Sequence, residues 1–172
     1  MLPVFLLMLS QLLMLSPADT APLPIMAEWV HDWEIQRDFT LAVAEKMPAK
    51  DYGFKATPEE MEFGRMMVHL ANALAFRFQQ ISGEKARIIT DPPYDKPIVL
   101  KFVRESFDYV IGVFPKIPEE RLAANYEVNW EGRKEANGRQ IALAMLVHTA
   151  HHRAQLEVYL RLKGIEPPVY TF

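Results

Sequence analysis

Apolar positions recur every three or four residues over four long stretches of this chain, with prolines and glycines between them. That period is the mark of amphipathic α-helices. The first stretch covers 27–46 and sets Trp29, Trp33, Thr40 and Val43 near one face, with Arg37 beside it. Met47-Pro48 ends it, because proline disfavours helix at the residue before it. Thr57-Pro58-Glu59-Glu60 predicts the second start, with Thr at the N-cap, Pro at the first helical position and Glu three residues on. That helix runs to about Ile81 with Gly83 as its stop, and Met66, His69, Ala73 and Phe76 form its stripe. The third helix begins near Asp95-Lys96-Pro97 and ends before Pro115, with Val99, Phe102, Val103, Ser106, Tyr109, Val110 and Val113 inward. The fourth covers 139–163 and is closed by Gly164 and Pro167-Pro168. Its seam is Ile141, Met145, His148, His152, Gln155, Tyr159 and Leu162. Four such helices predict an all-α fold, a four-helix bundle. Between the third and fourth, residues 116–138 are polar and too many for an ordinary helix-to-helix turn; a segment of this kind usually carries function or crosses over the bundle. Within it, Tyr126-Glu127-Val128-Asn129-Trp130 reads as a short extended piece.

Residues 1–25 carry a different pattern. Leu2 to Leu15 is apolar except at Pro3, Ser10 and Gln11, too short for the about 20 residues that span a bilayer. The run fits the apolar core of an export signal, with Ser16-Pro17-Ala18 as a cleavage site, although no Lys or Arg precedes it. The expectation is an exported protein without a stable membrane span; the alternative is a cytoplasmic protein translated from Met26. The bundle domain is 26–172.

Composition narrows the chemistry. Half of the 172 residues are apolar and 24% are charged, which excludes intrinsic disorder. The net charge of -3 argues against a general nucleic-acid binder. Without cysteine, disulfides, thiolate metal sites and a cysteine nucleophile are excluded. Five histidines remain. His148 and His152 are four apart, so both project from one helix face and can reach a single ion. His69, on the stripe of the second helix, could face them in a bundle and complete three ligands, leaving a fourth position for water. The competing reading is three core histidines satisfied by neighbouring polar groups. His151 belongs to the adjacent stripe and reads as packing or surface, and His31 as solvated.

The segment Leu146-Val147-His148-Thr149-Ala150-His151-His152-Arg153-Ala154-Gln155, with Tyr159-Leu160-Arg161-Leu162-Lys163-Gly164-Ile165 and Pro167-Pro168 after it, resembles the DinB-like family of bacterial metalloproteins. Thr57-Pro58-Glu59-Glu60-Met61-Glu62-Phe63-Gly64 leading to His69-Leu70-Ala71 is similar too, as are Arg37-Asp38-Phe39-Thr40, Glu45-Lys46-Met47-Pro48 and Tyr52-Gly53-Phe54-Lys55. The resemblance implies a four-helix bundle with a long crossover and three metal ligands at His69, His148 and His152. It implies one divalent ion, with zinc the first choice for three imidazoles and nickel or iron as alternatives. Its activities include reactions with low-molecular-weight thiols, and it is compatible with a homodimer.

Two function classes follow. One is a metal-dependent hydrolase or thiol-dependent transferase acting on a small molecule; the other is a non-catalytic metal-bound bundle serving as a binding or stress-response module. Gln155, three residues past His152, and Asn72, three past His69, are candidates to orient an imidazole or a substrate. Arg153 is a candidate for an anionic substrate, against the plainer expectation of an exposed ion pair. Trp33 and Tyr159 read as core packing. Neither Glu62 nor Glu105 qualifies as a general base.

Overall fold

The computed structural model describes residues 24–90, 94–130 and 132–170. The leader expectation for residues 1–25 lies outside them, except that its last two positions open the first helix. Seven elements follow in order: α1 (Pro24–Lys46), α2 (Phe63–Ser82), α3 (Lys96–Val113), α4 (Glu119–Ala123), β1 (Asn125–Trp130), β2 (Arg133–Asn137) and α5 (Gly138–Leu162). The four long helices form the bundle. α2 packs on α3 and α5, and α1 packs on the same two, so α1 and α2 are diagonal.

Cross-links between ends give the directions. Lys96 at the start of α3 donates to the Glu45 and Met47 carbonyls at the end of α1, so these two helices are antiparallel. Ser82 and Tyr109, near the C-terminal ends of α2 and α3, share a hydrogen bond of 3.0 Å, which makes that pair parallel. The Tyr159 hydroxyl, late in α5, donates to the Met61 carbonyl just before α2, so α2 and α5 run in opposite directions. Trp33, Phe63, Phe78, Phe102 and Phe107 are fully buried and fill the centre, with Trp33 edge-on to Phe78 at 5.4 Å.

The second helix does not start at the predicted capping box. Glu60 N–H bonds the Thr57 carbonyl at 3.2 Å in a separate turn, and Glu62 is the N-cap. Tertiary contacts replace the local cap: Phe63 N–H and Gly64 N–H donate to the Phe54 and Tyr52 carbonyls, both at 2.9 Å, so two orphan donors of the first turn are satisfied by chain already in place. α5 has the box that α2 lacks. Asn137 accepts from Gln140 N–H at 2.9 Å, and the Gln140 side chain accepts from Asn137 N–H at 3.0 Å. Gly83 and Gly164 stop α2 and α5 with φ of 81° and 72°, a conformation other residues resist.

The 116–138 connection holds a short helix and an antiparallel hairpin that pairs Asn125 with Asn137 and Tyr126 with Ala136. The expected extended piece is β1; its partner strand went unforeseen because Arg133–Asn137 has no apolar alternation. The hairpin is a minor addition to an all-α fold. Arg121 in α4 donates to the Ile81 and Gln80 carbonyls, placing a cation at the C-terminal end of α2.

Two predicted stripes need correction. Phe76 and Leu162 are exposed rather than inward. A strict three-four pattern drifts by about 20° per seven residues against a straight helix, so its far members rotate out of the core. The buried side of α5 instead runs through Ile141, Met145, Thr149, Arg153, Leu156 and Leu160. His148 and His152 lie on its flank and are half-buried.

Candidate metal centre

Three imidazoles meet where the N-terminal half of α2 faces the middle of α5. One nitrogen from each of His69, His148 and His152 lies within 4.8 Å of the other two, an arrangement that could hold a metal ion. The ring centroids are 5.3 Å apart for His69 and His148, 4.8 Å for His69 and His152, and 4.4 Å for His148 and His152. The antiparallel packing of α2 on α5 brings them together, and the four-residue spacing aims the α5 pair along one face. All three are half-buried, so they are reachable from solvent yet partly stripped of it.

This environment disfavours protons. Burial, then the neighbouring His152, His69 and His151, lower the His148 pKa to about 4. Burial and Arg65, one helical turn before it, lower His69. Burial also lowers His152; its hydrogen bond to Gln155 and the Glu60 carboxylate act the other way. At neutral pH the cluster is therefore three uncharged imidazoles with lone pairs available, the protonation state a divalent ion requires.

The residues around the cluster divide clearly. Gln155 Oε1 is 2.8 Å from His152 Nδ1, so it accepts that N–H and leaves Nε2 as the free donor atom. Asn72 does not touch an imidazole: its amide clamps the backbone of Ile89 in both directions, at 2.5 Å and 2.9 Å, and fixes the chain between α2 and α3. Arg153 is not exposed, and its guanidinium is engaged by α1. It is 2% exposed, bonds Gln36 and stacks on Phe39 at 4.5 Å, so it joins α5 to α1. Trp33 and Tyr159 are core, as expected. His151 and His31 are exposed. Glu105 pairs with Arg87 and Lys101, and Glu62 stands at the N-cap position of α2 without a side-chain capping bond.

Sequence reasoning missed three contributors. A cavity of about 220 Å³ opens beside His69, lined by Met61, Arg65, Val68, Asn72, Ile89, Thr90 and Tyr94. Arg65 was findable, because a residue four before a ligand shares its face. Tyr94 and Glu60 come from connections whose course no helical period encodes.

The three-nitrogen donor set suits a borderline divalent ion: it contains no thiolate to fix a structural site and no carboxylate to favour calcium or magnesium. No helix among the described residues is long and apolar enough to cross a membrane. Comparison with known proteins points the same way as the fold. The crystal structure of a DinB-like protein from Bacillus subtilis superimposes with a TM-score of 0.67 at 20% identity, covering 84% of this chain and 98% of that one. That of a DinB-like protein from Bacillus cereus gives 0.64 at 16% identity, covering 84% and 97%. No curated protein gives a significant sequence match. The sequence profile of the DinB superfamily matches residues 32–156, most of the helical bundle. The chain belongs to the DinB superfamily.

Proposed function

We propose that the protein holds one divalent metal ion, zinc in the first instance, on His69, His148 and His152, and acts on a small molecule that approaches beside His69. The observation that carries this reading is the convergence of the three half-buried, uncharged imidazoles. Lone pairs turned toward one point are unfavourable when desolvated unless a cation takes them up. A bound divalent ion supplies Lewis acidity, which ionises a water for hydrolysis or a thiol for transfer.

The chain's own residues have defined tasks. Gln155 holds the His152 tautomer. Met61, Val68 and Ile89 give the cavity an apolar wall, suited to the carbon skeleton of a small ligand, and Arg65 sets a positive charge at its edge. The absence of cysteine leaves no protein thiolate to compete for the ion, so a low-molecular-weight thiol would enter as substrate. Hydrolase and transferase differ in stoichiometry: transfer consumes one thiol per turnover, whereas hydrolysis proceeds without any.

Elemental analysis of untagged protein beside the His69→Ala and His148→Ala variants tests the site. The expected result is about one equivalent of a divalent metal in the wild type and its loss in both variants. Less than about half an equivalent in wild type grown with metal supplied would rule the site out.

A further inference from the structure

The cavity beside His69 has a one-sided charge. Among the described residues that line its volume of about 220 Å³, Arg65 is the permanent cation and none is acidic. Among the described residues Arg65 forms no ion pair, although Glu62 stands three positions before it. The helix does not account for it either. Arg65 is the third residue of α2, in the first turn, where the helix dipole disfavours a cation. Its side chain is exposed, so the core does not require it.

Beside a metal centre such a charge is more unfavourable still. Arg65 lies one turn before His69, about 6 Å along the axis, and its charge lowers the proton affinity of that imidazole. A divalent ion on three neutral imidazoles keeps both of its charges, and Arg65 repels it. The carboxylate that influences the cluster, Glu60, acts on His152 and not on His69.

An anionic ligand removes the conflict. A carboxylate on the Arg65 guanidinium takes two parallel hydrogen bonds and cancels the charge next to the ion. Met61, Val68 and Ile89 can cover the carbon skeleton between Arg65 and His69, and the Asn72 amide holds the Ile89 part of that wall by its backbone. One guanidinium matches one carboxylate. A phosphate dianion would call for further donors, and the described wall offers no second permanent cation.

We propose that the substrate is a small carboxylic acid, its carboxylate held by Arg65 and its reacting group about one helical turn away at the ion beside His69. Arg65 is then the residue that selects it. This rests on the metal site proposed above, and the test separates the two. Cobalt(II)-loaded full chain is titrated with hydroxamates, which bind divalent ions whichever reaction the site performs and alter the cobalt absorption spectrum. The probes are succinic monohydroxamate, which ends in a carboxylate, and succinamic hydroxamate, which ends in a neutral carboxamide at the same length. The wild type is expected to bind the acid at least about 10-fold more tightly than the amide, as one charge-assisted pair provides. Arg65→Met should abolish that preference and leave affinity for the amide unchanged, whereas Arg65→Lys should keep part of it. Cobalt itself should bind Arg65→Met a few-fold more tightly than wild type, because a repelling charge is gone. Arg65 is exposed, so both variants should keep wild-type helicity and melting temperature. Equal affinity of the wild type for the two probes, or failure to bind either, overturns the carboxylate assignment and leaves the metal site standing. A preference that survives in Arg65→Met also overturns it. A wild type that takes up no cobalt overturns the metal site and this proposal with it.

Discussion

The working state of the cluster is decided by which imidazole nitrogen carries hydrogen. Burial keeps His152 neutral, so it has one N–H, and Gln155 Oε1 at 2.8 Å from Nδ1 fixes where that hydrogen is. Nε2 is left free. Gln155→Ala should lower metal affinity about 10- to 100-fold, whereas Gln155→Glu, which still accepts the Nδ1 hydrogen, should retain it. Competition against a chromophoric chelator measures both. The melting temperature of the metal-free protein should barely move, because Gln155 is half-buried and its one neutral hydrogen bond contributes about 1 kcal/mol. Equal loss in the two variants would show that Gln155 does not act by accepting that hydrogen. Arg153, two residues before Gln155, teaches the opposite lesson. A lone arginine on a helix reads as an exposed ion pair, yet Gln36 and the face of Phe39 receive the guanidinium inside the protein. Such a site depends on the partner helix, which the local pattern of α5 does not contain.

At the level of elements, glycine at the head of α5 shows packing overruling propensity. Gly138 is the first residue of the helix, where alanine would ordinarily be the better helix former by up to about 1 kcal/mol. A Cβ there would stand 2.8 Å from the Arg121 carbonyl oxygen and 2.9 Å from Leu122 Cα, both backbone atoms of α4. Backbone yields less readily than the tip of a side chain, and overpacking of this kind costs about 1–3 kcal/mol. Gly138→Ala is therefore expected to destabilise the protein, read as a lower midpoint in urea unfolding; a gain would mean that α4 moves freely away from α5. The same contrast explains what was legible in the sequence. The long helices were, since α3 is bounded by Pro97 and Phe114-Pro115 and α5 by Gly164, and each has an apolar side at a 3.6-residue period. So was the spacing that joins His148 to His152. The start of α2 was not, because its cap comes from Tyr52 and Phe54 through tertiary hydrogen bonds. Nor was the hairpin, whose second strand is Arg-Lys-Glu-Ala-Asn and owes its extended form to its partner.

Across the whole molecule, tyrosine hydroxyls fasten connections to the bundle. Tyr52 donates to the Ala44 carbonyl at 2.8 Å, Tyr109 to Glu84 at 2.6 Å and Tyr159 to Met61 at 2.9 Å. Each hydroxyl is held above its ordinary pKa mainly by burial, and Tyr52 most strongly, with Glu45 adding to the effect. In the unfolded chain these phenols ionise near pH 10. Above that pH the unfolded state has lost protons that the folded state still keeps, so stability is full below about pH 10 and falls as pH rises through it. A single phenol held neutral gives a slope of about 1.4 kcal/mol per pH unit. Tyr52→Phe separates this effect from simple loss of a bond. Near neutral pH the variant should be less stable by about 1 kcal/mol, because the Ala44 carbonyl loses its donor. Above about pH 10 its stability should decline more gently than that of the wild type, by roughly the slope of one phenol, so the two curves converge. Urea unfolding across the alkaline range measures both limbs. Parallel curves would mean that Tyr52 ionises as readily in the folded protein as in the unfolded chain, contrary to its burial between α1 and Phe63, whose ring lies 5.2 Å from its own.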